Sequence, residues 1–130
     1  MNTTNYWHFR KNTVASGEDN SNDSIMLPID NITGMSPGHQ QADVSSSQYV
    51  TIFYKKPSTY SLFSNNSDFP TQNGMIVLQI TDEKAKDVLE FLAQASNPSN
   101  NKKSYLTIAD DLNSEYAFRH ILNTAQLVTV

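Results

Sequence analysis

The sequence predicts a mainly β domain carrying one α-helix (α+β), built as a small twisted antiparallel sheet or a partly open barrel with one packed helix and long loops. Three observations predict it. Residues 49–56 set Val50, Ile52 and Tyr54 against Tyr49, Thr51 and Phe53, a period-two alternation in β-favouring residue types. Residues 75–80 are apolar except for Gln79, the pattern of a strand covered on both faces. Between that run and a strand-like run at residues 105–109 lies one well-punctuated helix, residues 82–95.

In chain order, residues 5–10 place Trp7 and Phe9 on one face and Tyr6, His8 and Arg10 on the other, as an amphipathic strand does. Residues 16–23 combine Gly17 with Asn, Asp and Glu, the chemistry of a turn or mobile loop. Residues 24–29 align Ile25, Leu27 and Ile29, and Pro28 marks the end of this strand or an edge position. Ile32 and Met35 continue it after a bend at Asp30 and Asn31. The strand at 75–80 is expected centrally, beneath the helix. Thr81 can cap that helix, Asp82 and Glu83 complement its dipole, and Ser96, Asn97 and Pro98 stop it. Ala85, Val88, Leu89 and Leu92 form its apolar stripe, and burying them contributes about 0.8 kcal/mol per methylene before entropy is counted. Residues 113–122 read as a short irregular helix or turn, and residues 127–130 as a closing strand.

The 130 residues fit a single domain spanning 1–130. Charged residues are only 17%, so the polar character comes from Asn, Ser, Thr and Gln. A net charge of −4 lacks the basic excess of an electrostatic nucleic-acid binder. The absence of cysteine excludes disulfides and thiolate chemistry and suits a reducing compartment or a structure stabilised by assembly. No run approaches the roughly 18 apolar residues of a membrane span, and residues 1–10 show no signal-peptide core, so a soluble, non-secreted protein is expected. The Asn-x-Ser/Thr sequons at Asn2, Asn22, Asn31 and Asn65 carry no weight without export.

Two connections are long for a compact domain, residues 35–48 and 57–74. The second carries Tyr60, Leu62, Phe63 and Phe69 among Ser and Asn. Either these side chains fold back as a satellite cluster on their own core, or they form an arm that docks on a neighbouring subunit. Asp110, Asp111 and Glu115 match no Ca²⁺ loop and read as turn and helix-start residues. His8, His39 and His120 lack the i, i+4 spacing of a metal pair and read as surface or structural histidines. No serine sits in a Gly-x-Ser-x-Gly elbow. The expectation is therefore a protein that is not an enzyme and holds no cofactor or metal. Lys55 and Lys56 beside Tyr54, with Lys102 and Lys103 beside Tyr105, are the basic and aromatic neighbours that could bind phosphates and stack bases, although paired lysines at strand ends are ordinary solubilising residues.

The order Tyr6-Trp7-His8-Phe9-Arg10, an acidic gap, Asp23-Ser24-Ile25-Met26-Leu27-Pro28, Asp30-Asn31-Ile32-Thr33-Gly34, the single helix, Ile108-Ala109-Asp110-Asp111 and Ser114-Glu115-Tyr116 resembles a group of small marine cyanophage and metagenomic proteins. The resemblance spans most of the chain through short motifs that carry no chemistry. It implies an Sm-like small β-barrel that assembles into rings, and a phage structural role. The chain departs from the Sm pattern in lacking Arg-Gly or Lys-Gly in a late strand, which puts ring-type RNA binding in doubt. Two functions are expected on these grounds. One is a virion structural protein, a capsid decoration or cement subunit, assembled in the host cytoplasm, homo-oligomeric and in contact with other virion proteins such as the major capsid protein. The other is an Sm-like oligomer that binds nucleic acid, which requires the lysine pairs to converge. Membrane binding is not expected.

Overall fold

The computed structural model describes residues 6–11, 24–39, 46–55, 73–96 and 105–129. Trp7 and Phe9 give β1 (Tyr6–Arg10) one fully buried face. It pairs antiparallel with β2 (Ser24–Pro28), Trp7 opposite Leu27 and His8 opposite Met26. Pro28 closes β2, which lies at a sheet edge as its missing N–H requires. A 3-10 turn at Ile29–Asn31 then diverts the chain. The continuation through Ile32 and Met35 is a strand, β3 (Ile32–Pro37), but it belongs to a second sheet.

β3 pairs antiparallel with β4 (Tyr49–Lys55), and β4 with β5 (Asn73–Ile80), which is central as its apolar run requires. Gly38 sits at φ 102°, a conformation suited to glycine, and its N–H reaches the Tyr49 carbonyl at 2.7 Å, tying the end of β3 to the start of β4. Strand and 3-10 structure thus shorten the long connection expected over 35–48: residues 35–37 complete β3, and a 3-10 turn at Ser46–Gln48 precedes β4.

The helix, α1 (Ala85–Ala95), is shorter than the sequence predicts, and Thr81 is not its cap. Lys84 occupies that position without a side-chain cap. The cause is local: Ser47 donates to the Asp82 carboxylate, its carbonyl accepts from the Glu83 N–H, and Glu83 is left at φ 66°, outside the helical region. Val88, Leu92 and Ala95 are buried, with Ala85, Leu89 and Phe91 packed beside them. The helix lies closest to β3, β4 and the Ser46–Gln48 turn rather than squarely over β5.

β6 (Tyr105–Asp110) returns to the first sheet, where it runs parallel to β1. The stretch 113–122 is not a helix. It holds a two-residue strand, β7 (Glu115–Tyr116), paired with β6, and the start of β8 (Ile121–Thr129), so the closing strand begins before the expected 127. Register breaks against β5 at Leu122 and Ala125 hide the alternation of β8 from a period-two reading.

The strands therefore divide between two sheets, β2-β1-β6-β7 and β3-β4-β5-β8, which do not close into a barrel. They share one core: Trp7, Phe9, Leu27, Ile108 and Ala109 from the first meet Val50, Ile52, Ile76, Leu78 and Ile121 from the second, joined by Val88 and Leu92. No helix among the described residues is long and apolar enough to cross a membrane.

Candidate interaction surface

With Trp7 and Phe9 turned inward, strand alternation sends Tyr6, His8 and Arg10 to the outer face of the first sheet. Residues in register share a face, so the pairings place three rows there: Pro28–Tyr6–Tyr105, Met26–His8–Thr107 and Ser24–Arg10–Asp110. A bulge at Ile108 in β6 brings Asp110 into the third row. Tyr6, Met26 and Tyr105 are 41%, 48% and 47% exposed. They are three of the five large apolar side chains this exposed among the described residues, the others being Leu112 and Leu122. Their concentration on one face of three adjacent strands makes this the leading candidate surface.

The centre and one end of the face are polar. His8 has Ser24 Oγ within 3.5 Å of Nε2 and Thr107 Oγ1 within 3.5 Å of Nδ1, so hydroxyls flank the imidazole on both sides. Arg10 stands 4.0 Å from the Asp110 carboxylate, with both side chains largely buried. Asp110 also accepts from the Leu112 and Asn113 N–H groups and from Asn113 Nδ2, an Asx turn that leaves its oxygens occupied.

Asp111 joins the two sheets. Its N–H donates to the Arg10 carbonyl, its Oδ1 accepts from the Tyr116 hydroxyl at 2.9 Å, and both carboxylate oxygens lie 3.1 Å from the Thr124 N–H on β8. Burial first, then the hydrogen bond and the charge of Asp111, push the Tyr116 hydroxyl up to about 12. The two aspartates thus act as turn and seam residues, and the chain continues from them into β7 rather than into a helix. Among the described residues no group of three or more His, Cys, Asp or Glu is placed to hold a metal. His39 packs edge-on against Tyr49, and His120 against Phe118, which stacks on Phe91 of the helix.

Of the lysines paired with aromatics in the sequence, Lys55 is exposed at the end of β4 in the second sheet, whereas Tyr105 lies on the first. Lys56, Lys102 and Lys103 lie outside the described residues, as do Tyr60, Leu62, Phe63 and Phe69. The alternation visible in the sequence divides Tyr6, His8 and Arg10 correctly from Trp7 and Phe9. It does not assemble the face, because that depends on β1 pairing with β6 across nearly the whole chain. Comparison with family models, curated proteins and solved structures finds no match for this chain.

Proposed function

We propose that this chain is a non-enzymatic structural subunit of a virus particle, a capsid decoration or cement subunit that works through contacts with copies of itself and with the major capsid protein. The observation that supports this reading is the Tyr6, Met26 and Tyr105 face. Large, partly exposed aromatics grouped at one end beside Met26, with polar residues bordering them, suit a protein contact surface, where few side chains supply most of the binding energy. The particle setting comes from the family resemblance. The 57–74 segment, with Phe63 and Phe69, is the second contact element in this reading.

The test is co-sedimentation of purified protein with particles of the virus that encodes it. Replacing Tyr6 and Tyr105 together by Ser should abolish binding while the circular dichroism spectrum is retained, because both side chains stand outside the core. Unchanged binding by that variant would refute the role of this face.

A second reading is single-stranded nucleic-acid binding. Tyr6 and Tyr105 lie side by side on parallel strands, an arrangement on which bases can stack, and Arg10 ends β1 with Lys11 next in the chain. The pairing of Arg10 with Asp110 and the net charge of −4 weigh against it.

A further inference from the structure

The four sheet edges are not alike. β3 carries a bulge at Thr33. β7 is two residues long and includes the charged Glu115. β8 is bulged twice, and the carboxylate of Asp111 occupies its Thr124 N–H. Each has a device that discourages further strand addition. β2 (Ser24–Pro28) has no charged residue and no bulge in its pairing with β1, and among the described residues no strand pairs with its outer edge.

Pro28 also fixes which groups that edge presents. Having no N–H, Pro28 belongs at a position turned away from β1, and strand alternation then turns the backbone groups of Ser24 and Met26 outward with it. This set is self-complementary. We propose that β2 pairs antiparallel with β2 of a second copy about a two-fold axis through Met26, joining the two first sheets into one continuous sheet. Met26 and its counterpart exchange both N–H···O bonds, and the Ser24 N–H of each copy donates to the Pro28 carbonyl of the other. The exposed Met26 side chains meet across the axis on the outer face, so the Tyr6 and Tyr105 surfaces of both copies lie on the same side.

This pairing deepens the proposed structural role by naming a second copy of the chain as one partner, and it is tested separately from particle binding. Sedimentation of the full chain at tens of micromolar should show a dimer. Hydrogen exchange should show the outward-facing amides of Ser24 and Met26 protected at that concentration and exposed on dilution, with the amides of β5 unaffected. Met26→Lys, a change at an exposed side chain, should give a folded monomer with those amides exposed at every concentration. A wild-type monomer at tens of micromolar overturns the pairing even if the protein still binds particles. So does a dimer that survives Met26→Lys with concentration-independent exchange at Ser24 and Met26. Absence of particle binding with the dimer intact would instead overturn the structural role.

Discussion

Tyr54 of β4 packs against Gly74 of β5, its cross-strand partner, and a Cβ at residue 74 would overlap the Cζ and hydroxyl of its ring. Because Tyr54 is buried, the ring cannot swing clear. Gly74→Ala should therefore cost on the order of 1–3 kcal/mol in denaturant unfolding, whereas Gly34→Ala, with open space around it, should cost little of steric origin. Thr124 makes the opposite case. Its hydroxyl is buried with no hydrogen-bond partner among the described residues, so Thr124→Val should leave stability unchanged or raise it by about 1 kcal/mol. Tyr116 makes stability depend on pH in a stated direction. In the unfolded chain it loses its proton near 10 and in the folded protein near 12, so the folded state holds that proton more tightly. Its contribution is complete below about pH 10 and is lost as pH rises through about 12. Thermal melts across that window should fall less steeply for Tyr116→Phe than for the wild type. None of these three roles is legible in the sequence, since each depends on a neighbour brought in by the fold.

At the scale of elements, period-two alternation locates β1, β2 and β4, helical spacing locates the body of α1, and short apolar runs locate β5, which is buried on both faces, and β6. Leu92 is fully buried, so Leu92→Ala should cost about 2–5 kcal/mol, and Leu89→Ala less, because Leu89 is only partly buried. The pattern misleads where an interaction distant in sequence wins. Thr81-Asp82-Glu83 reads as a helix start, but the hydrogen bonds to Ser47 hold Asp82 and Glu83 in a turn. Ser47→Ala should lower stability by about 0.5–1 kcal/mol, since that side-chain bond is exposed to water. β8 is legible only from residue 127 because its two bulges disrupt the alternation that reveals a strand.

At the scale of the molecule, local patterns indicate strands but not their partition. β2 and β3 are separated only by the Ile29–Asn31 turn, yet they enter different sheets, while β1 and β6 are neighbours from opposite ends of the chain. Long-range pairing of this kind leaves no periodicity to read. The candidate surface shares that fate: its residues are visible one strand at a time, and only the β2-β1-β6 register makes them a face. Charge works at this scale too. With a net −4 and Arg10 engaged by Asp110, single-stranded RNA should bind weakly at physiological salt. Nanomolar affinity lost on changing Lys55, Lys56, Lys102 and Lys103 to Ala would favour the nucleic-acid reading instead. The proposed role, a structural subunit of a virus particle that acts by surface contact, is tested most directly by quantitative mass spectrometry of gradient-purified particles of a virus whose genome carries this sequence. A decoration or cement subunit should be present at a fixed copy number relative to the major capsid protein, and absence of this chain from infectious particles would contradict that role.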